Sequence, residues 1–463
     1  MSAFGIALVL LIGWLLVDMV KPALPTAPKL ALGWGIGLAV VTPGVYLANV
    51  VLNIPVAPPL AWAWPVVCGS GLVIARRALK KKRPIPSPSS LKTRAPWTVL
   101  EVWLCAILVI GVLITLVQAL YWPFFDWDSL ATYDFKARLM VLEQRVNVRE
   151  YSEVGIGNWD YPPHISLAYS LIYLWGSAPP KIVIALFFLS LVIFFYYSAA
   201  QAASRLGSLL ATLALILTPT IFLWATHGML DLPATYYLGT ALCLSEEWAS
   251  RDDRSSLLLA GLMLGAACWT RTNVLAFGLG CAAWALVVGV LRKSWPVRPW
   301  LAGLACMIGA IALWQANVVW GLGRPFMGGA GVFDAKLFDL PRLWETMSGL
   351  AVQLLDPRLF GVAGWMFMAA IALLPFKRAR AFPSLTLSAV MLLTWLAVFY
   401  SLTVGDSRTV TLFDSGQRVL LNCVPIMMLH FVREPALIRP LDATNARLQR
   451  FIGGPQPGPA AGG

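Results

Sequence analysis

The sequence predicts an all-α polytopic membrane protein, and three observations support this fold class. The composition is 59% hydrophobic and only 12% charged, with a mean hydropathy of +0.74, far more apolar than a soluble domain. Apolar runs of about 20 residues, the length of one helical crossing, recur along the whole chain. Charged residues lie mostly between these runs. We therefore expect about 13 transmembrane helices, with interfacial helices in the first large outer loop.

The first three spans form an N-terminal region, 1–75, which we set apart as an accessory region. The basic linker 76–96 follows. Residues 76–94 contain several Lys and Arg and no Asp or Glu. Cytoplasmic loops are enriched in Lys and Arg, so this linker is expected in the cytoplasm. The three spans are placed near 4–20, 31–53 and 59–75.

The remaining spans form one transmembrane module over 97–432. The segment 164–177 is apolar but short, which predicts a re-entrant or interfacial helix. The spans of the module are expected near 97–120, 180–200, 206–226, 233–250, 256–271, 273–291, 299–320, 358–376, 383–404 and 418–432.

Successive spans cross the membrane in alternate directions, so the cytoplasmic linker assigns each remaining loop to one side of the membrane. The loop 121–163, the turns at Asp231 and Arg271, and the loop 321–357 fall on the outer face. The tail 433–463 falls in the cytoplasm, and its Gly/Pro/Ala-rich end is expected to be disordered. The formal charge of +13 is therefore largely a signal of topology, and nucleic-acid binding is not needed to explain it.

The first outer loop holds the densest group of ionisable residues. Asp126 and Asp128 lie within an aromatic run that is typical of the membrane interface. A helix starting near Ser129 would place Asp128, Thr132 and Lys136 on one face and pair Asp134 with Arg138. One interpretation is that Asp126 or Asp128 caps this helix. The other is that a partly desolvated carboxylate acts as a general base.

Three further outer turns carry charge. Asp231 lies beside His227, Arg271 stands between two apolar runs, and Arg418 opens the last span. Each could be a helix cap or a side chain that extends to the membrane boundary. All of them are expected on one side, however. Two acids and two guanidiniums together could deprotonate a nucleophile and stabilise a phosphate leaving group.

These motifs, in this order, resemble the glycosyltransferase C superfamily, in its branch of protein mannosyltransferases and the lipid A aminoarabinose transferase. The resemblance covers about 97–432. It departs from the family in lacking the Asp-Glu pair, which leaves open whether Asp126 or Asp128 is the base, and in carrying Arg271 where relatives often have Lys. The matching segments are Asp126-Trp127-Asp128-Ser129, Lys136-Ala137-Arg138, Asp160-Tyr161-Pro162-Pro163-His164, Asp231-Leu232-Pro233, Trp269-Thr270-Arg271-Thr272-Asn273 and Gly416-Gln417-Arg418-Val419-Leu420-Leu421 with Pro425.

The resemblance implies a glycosyltransferase C-like fold and transfer of a sugar, with inversion, from a polyprenyl-phosphate donor. The acceptor would be a glycolipid, a polysaccharide or a protein on the outer face of a bacterial cytoplasmic membrane. No cofactor is expected to be required, although a divalent cation is possible. The residues assigned are Asp128 and Asp126 for catalysis, Arg271, Arg418 and Lys136 for the donor phosphate, and Asp231, His227, His164, Asp160 and Tyr161 as acceptor-side or metal candidates.

Two other classes compete with this interpretation. A transporter or flippase of a lipid-linked glycan would place ionisable groups near the middle of its spans, whereas here they lie near span ends. A polymerase or ligase of surface polysaccharide would depend mainly on outer arginines. The acids of 126–134 favour the transferase.

The outer loop 321–357 predicts an amphipathic helix after a glycine-rich hinge at 328–331. This helix could lie in the membrane interface, or it could cover the acidic loop when substrate binds. Arg342, Glu345 and Gln353 are expected off its apolar face. That face is expected to contain Leu340, Leu343, Trp344, Met347, Leu350, Ala351 and Leu354.

Overall fold

The computed structural model is built from helices. It describes residues 1–80, 96–147, 159, 161–176, 178–293, 296–323, 340–373, 382–403 and 416–453, and these residues contain no strand. The N-terminal helices are α1 (Ser2–Val20), α2 (Thr26–Val50), α3 (Pro58–Lys80) and α4 (Val99–Tyr121). A π-helix, Ser129–Asp134, then leads into α5 (Phe135–Leu142), α6 (His164–Trp175) and α7 (Ile182–Ala200).

The second half continues the helical pattern. It contains α8 (Arg205–Ile216), α9 (Pro219–His227), α10 (Asp231–Arg251), α11 (Arg254–Thr270), α12 (Val274–Leu291) and α13 (Val297–Ala316), which a short π-helix, Asn317–Gly321, extends. The last helices are α14 (Leu340–Leu355), α15 (Pro357–Phe360), α16 (Ala363–Ala372), α17 (Phe382–Thr403), α18 (Gly416–Leu420), α19 (Val424–Val432) and α20 (Pro435–Gly453), with a 3₁₀ turn, Leu421–Cys423, between α18 and α19.

The protein is a polytopic membrane protein. Within the described residues, seven helices are long and apolar enough to cross a membrane, and up to nine if two bent pairs each form one span. These pairs are α8 with α9, bent by 60°, and α18–α19 with α20, bent by 67°. A helix or a pair of helices occupies every predicted span, but α11 and α16, with 17 and 10 residues, are shorter than the roughly 20 that one crossing needs. Thirteen crossings therefore remain a prediction.

Helices α2 and α4 show which parts of the bundle face inwards and outwards. In the most apolar stretch of α2, 72% of residues are buried, compared with 28% in α4. Glycines allow α1 to approach α2 closely, because a Cβ at Gly13 would collide with the Gly33 carbonyl. Helix α2 thus lies inside the protein, whereas α4 faces outwards along most of its length.

Polar contacts join α2 to two helices of the predicted catalytic module. Tyr236 and Tyr237 of α10 donate hydrogen bonds to the carbonyls of Ala31 and Gly35, at 2.6 and 2.8 Å. Trp269 of α11 donates to the Thr42 hydroxyl at 3.1 Å. The sequence assigned α2 to an accessory region, yet in the structure it supports the helices that carry the outer turns.

Helix α6 corresponds to the short apolar segment 164–177. Ten of its 12 residues are buried. An interfacial helix would leave one face to lipid, whereas α6 is enclosed by protein, against α2, α5 and the π-helix. It forms the inner wall behind the first outer loop.

Candidate active site

The first outer loop begins where α4 ends. The chain becomes extended at Trp122. The aromatic residues that follow differ in their burial. Phe124 is buried against the Tyr169 ring, whereas Phe125 and Trp127 remain 54% and 82% exposed. Exposed aromatic rings are typical of the membrane interface, so Asp126 and Asp128 lie at the edge of the protein core.

The helix expected near Ser129 is present, but it begins with the π-helical turn Ser129–Asp134. A π-helix has i→i+5 hydrogen bonds in place of those of the expected α-helix. That Asp128, Thr132 and Lys136 share a face stays a prediction. Asp128 is one-third exposed, whereas Lys136 is buried with its ammonium 5.3 Å from the centre of the Trp159 ring.

The predicted pair of Asp134 and Arg138 is confirmed, with Arg138 Nε 2.8 Å from Asp134 Oδ2. The Tyr173 hydroxyl donates to the other oxygen of Asp134 at 2.5 Å. The Arg138 guanidinium also lies 5.4 Å from the centre of the Tyr173 ring. These contacts fix α5 against α6.

The centre of the site is the buried carboxylate of Asp231, which binds two guanidiniums. Arg271 Nη1 contacts Oδ1, and Arg418 Nη2 lies 3.0 Å from Oδ2. The three residues come from the first turn of α10, the break between α11 and α12, and the start of α18. An acid in a first helical turn interacts favourably with the helix dipole. The turns at these three residues therefore meet at one point.

Arg418 also reaches the first outer loop. Its Nη1 lies 3.0 Å from Asp128 Oδ2, and its guanidinium stacks 5.3 Å from the centre of the Trp224 ring. The Asp128 side chain is 33% exposed, whereas the Asp231 side chain is fully buried. Asp128 makes no side-chain capping hydrogen bond, so the interpretation as a helix cap does not hold for it. The result is a chain of alternating charges, Asp128–Arg418–Asp231–Arg271.

Asp126 forms a second pair next to this chain. Its Oδ1 lies 2.9 Å from Nδ1 of His227, the last residue of α9. Burial raises the pKa of Asp126 above its ordinary value, and the charges of His227 and Lys181 oppose this only in part. Its Oδ2 is buried without a hydrogen-bond partner among the described residues. Asp126 is thus a more basic carboxylate with one oxygen available.

A glycine turn brings the two pairs together. Gly228 ends α9 in the left-handed conformation, with φ of +85°, and a Cβ there would collide with the Phe124 ring. The chain can therefore pass directly from His227 to Asp231 under the aromatic loop.

His164 does not join this site. Its ring is fully buried, with Nδ1 2.7 Å from the Thr42 hydroxyl and Nε2 3.0 Å from the Tyr237 hydroxyl. Both ring nitrogens are occupied by these contacts, which does not favour the predicted role of His164 as an acceptor-side or metal candidate. Within the described ranges, no group of three His, Cys, Asp or Glu residues could hold a metal ion.

The remaining predicted residues have mixed outcomes. Tyr161 is described and 37% exposed, and Asp160 lies outside the described residues.

Sequence reasoning missed two neighbours of the site. Tyr133 is buried, and its pKa is raised by this burial and by the nearby Asp231 carboxylate. Lys181, which follows two prolines at the start of a span, had a signal in the sequence, as a single cation next to an apolar run.

The fold and the site together define an all-α polytopic membrane protein with a charged cluster at one end of its helices. No protein-family model and no curated protein matches the chain. Among solved structures, it is similar to the archaeal oligosaccharyltransferase AglB from Archaeoglobus fulgidus in complex with an inhibitory peptide and a dolichol-phosphate, with 13% identity and a TM-score of 0.40. The match covers 77% of this chain and 52% of that one, so the chain spans about half its length. The activity of this chain therefore rests on its own site.

Proposed function

We propose that this protein is a membrane glycosyltransferase that moves a sugar from a polyprenyl-phosphate donor to an acceptor. The site lies on the outer face of a bacterial cytoplasmic membrane, with the C-terminus in the cytoplasm. The basic linker 76–96 supports this orientation. Nucleotide sugars are cytosolic and highly charged, so an enzyme on the outer face needs a donor carried on a lipid. The catalytic module is 97–432, and the sequence resemblance to glycosyltransferase C enzymes over this range supports the class.

The observation that carries the proposal is the guanidinium of Arg418 between two carboxylates. Asp231 is buried and also bound to Arg271, so it holds both guanidiniums in place. Asp128 is partly exposed and contacts the other terminal nitrogen of Arg418. An Arg fork binds a phosphate with the same geometry as a carboxylate. In this proposal the donor phosphate displaces Asp128 from Arg418, with Lys136 a weaker third cation.

The displaced Asp128 is then the general base. It takes the proton of the acceptor hydroxyl while that oxygen attacks the anomeric carbon. The bond from this carbon to the phosphate oxygen breaks, and the electron pair leaves with the phosphate. Arg418 and Arg271 stabilise the charge on the departing phosphate. One direct displacement inverts the anomeric centre, and a single base is sufficient because phosphate departs without protonation.

Asp126 is the second candidate base. Its raised pKa and its free oxygen favour proton uptake, whereas Asp128 must first release Arg418. Asp126 has no guanidinium partner among the described residues, so it would not need the donor phosphate to become available. The two roles differ in that only Asp128 competes with the donor for Arg418.

The proposal assigns the stabilisation of charge to the two guanidiniums and requires no cofactor. A divalent cation held by Asp128, Asp231 or His227 is the alternative. Activity that survives thorough chelation supports the assignment to Arg271 and Arg418. Activity lost on chelation and restored by a divalent cation overturns it.

The function is tested by deleting the gene and comparing surface glycans and lipid-linked sugars. We expect one surface glycan to lose a sugar, and the corresponding polyprenyl-phosphate sugar to accumulate. Wild-type protein should restore the glycan, and D128N, present at equal amount in the membrane, should not. Restoration by D128N would contradict Asp128 as the base and favour Asp126 in that role. An unaltered glycan that accumulates on the cytoplasmic side would instead indicate a flippase.

A further inference from the structure

A pocket separate from the Arg418 contacts opens beside the first outer loop. Its volume is about 400 Å³, within the range of roughly 300–1,000 Å³ that is typical of ligand sites. The pocket lies between the end of α4, the π-helix, the end of α6 and the segment 178–181. Its apolar wall includes Leu120, Trp122, Phe124 and Leu130, and its charged side chains are Asp134, Arg138 and Lys181.

The apolar wall continues a surface that faces lipid. Helix α4 is mostly exposed along its length, and its last residues, Leu120 and Tyr121, are 52% and 77% exposed. Trp122, the next residue, is 53% exposed. Exposed Tyr and Trp side chains at the end of a span are typical of the level of lipid headgroups. A lipid beside α4 could thus place its headgroup in the pocket without leaving the bilayer.

Lys181 is the charged group at the inner end of the pocket. It is only 2% exposed, and its ammonium has one long hydrogen bond, 3.4 Å to the Pro123 carbonyl, and a contact 5.3 Å from the centre of the Phe125 ring. An ammonium has three donors. Among the described residues it forms no ion pair within 4 Å, and burial lowers the pKa of Lys181. Lys181 therefore has donors left for an anion.

The other charges of the pocket favour an anion as well. Asp134 is neutralised by Arg138, whose side chain remains 67% exposed, so Lys181 gives the pocket an excess positive charge. Lys181 also interacts electrostatically with Asp126, whereas Arg418 contacts Asp128. Asp126 is therefore close to the cation of the pocket, and Asp128 is close to the proposed position of the donor phosphate. Direct displacement requires the acceptor and the leaving group on opposite sides of the reacting carbon.

We propose that this pocket binds the anionic headgroup of a lipid acceptor, with Lys181 as its internal cation. The proposal rests on the proposed function and narrows the acceptor to a membrane lipid that carries a phosphate or a carboxylate. The continuity of the pocket with the lipid-facing surface of α4 favours a lipid over a protein. The unsatisfied ammonium favours an anionic headgroup over a neutral one.

The test uses dihexanoyl phosphatidic acid as the probe and the full-length protein in phosphatidylcholine nanodiscs. Calorimetric titration should show binding of this lipid and none of dihexanoyl phosphatidylcholine. K181M keeps the length of the side chain without its charge, and we expect affinity to fall about tenfold or more. L130W fills the pocket without changing its charge and should also reduce binding. K293M removes an exposed lysine elsewhere and should bind as wild type.

R418Q separates this proposal from the proposed function. It should retain phosphatidic acid and lose affinity for undecaprenyl phosphate, the lipid of the proposed leaving group. Wild-type affinity in both K181M and L130W overturns the proposal that this pocket binds an anionic headgroup. Equal binding of the neutral lipid overturns it as well. Loss of both ligands in R418Q alone also overturns it, because it indicates one anion site. Retention of undecaprenyl phosphate by R418Q contradicts the donor site and leaves the pocket intact.

Discussion

Two ionic clusters lie at the two ends of α10, and they use similar pairs for different purposes. At one end, the carboxylate of Asp231 binds two guanidiniums. Fifteen residues later, Glu246 binds Arg433, and neighbouring Glu247 lies 2.7 Å from Lys21. With a rise of about 1.5 Å per residue, the clusters are about 22 Å apart. One helix therefore carries both clusters across much of the bundle.

The difference lies in what each cluster leaves available. Lys21 is 8% exposed and is enclosed by Glu247 and, at 2.9 Å, Asp253, so this cluster ties the start of the α1–α2 turn to α10 and α11. The Asp231 cluster ends instead in a partly exposed acid, Asp128, beside aromatic rings. Ion pairing alone therefore does not indicate function. In the proposed mechanism, the Asp128–Arg418 pair differs because a ligand replaces one of its partners.

The strongest test of this difference removes one acid at each end. D128N should reduce transfer by about 10²- to 10⁴-fold, because an amide cannot accept the acceptor proton. E247Q, at the opposite end, should leave the rate per folded molecule unchanged. Both are measured as the rate at which the surface glycan returns in the deletion strain, normalised to membrane protein. Equal losses in the two variants would erase the proposed distinction.

K21M should affect stability and not turnover. It leaves Glu247 and Asp253 without their shared cation, and loss of one partner of a buried pair costs about 3 kcal/mol. The expected result is a lower midpoint of thermal unfolding in detergent, with normal turnover in the folded fraction. A K21M protein of normal stability and low turnover would indicate that the Lys21 cluster takes part in function, which would contradict the proposed difference between the two ends of α10.

The two ends should also respond to pH with opposite signs. Although burial acts to raise it, hydrogen bonds from Ser255 and Lys21 lower the pKa of Asp253 to about 2, so its stabilisation is present above 3.8 and is lost as pH falls through 2. Burial raises the pKa of Asp126 above 3.8, so its contribution is greatest below 3.8 and is lost as pH rises through the raised pKa.

Unfolding of D253N and D126N at about pH 6.5 and about pH 3 measures this contrast. Relative to wild type, D253N should be less stable at the higher pH and closer to wild type at the lower pH. D126N should be more stable than wild type at the higher pH and equal to it at the lower pH. The same sign for both variants would contradict the different environments of the two acids.

The smallest expected effect concerns α14, next to the Asp231 cluster. Leu350 and Gln353 of α14 pack against Gly416, two residues before Arg418. If α14 covers the site, amide hydrogen exchange in Leu340–Leu355 should slow when the lipid-linked donor is added. Exchange near Lys21 should not change. Equal exchange in α14 with and without donor would leave it as an interfacial helix.

The sequence predicted the grouping of Asp231, Arg271 and Arg418 because loop charge fixes topology, and topology brings distant turns to one end. It did not predict that Asp128 binds Arg418. That contact joins residues 290 positions apart, and local spacing does not reveal it. The amphipathic pattern of α14 was partly correct. Leu350 and Leu354 are buried as expected, but Gln353, expected off the apolar face, is buried too. The hinge at 328–331 lies outside the described residues.

Two further differences come from packing between distant helices. His164 lies in a loop rich in acids, which favoured a functional role, but Thr42 and Tyr237 from other helices satisfy its ring. Helix α2 contains no recognised motif and consists mostly of glycines and apolar residues, yet it supports the helices of the site. Such contacts depend on tertiary structure and leave no local pattern in the chain.

The most direct test of the central claim is the affinity of the purified protein for undecaprenyl phosphate. If Asp128 occupies the phosphate position on Arg418, D128N should bind this lipid at least as tightly as wild type, although its turnover is strongly reduced. R418Q should bind it about tenfold or more weakly, and E247Q should bind it normally. Weakened binding in D128N, or unchanged binding in R418Q, would contradict the claim that a donor phosphate replaces Asp128.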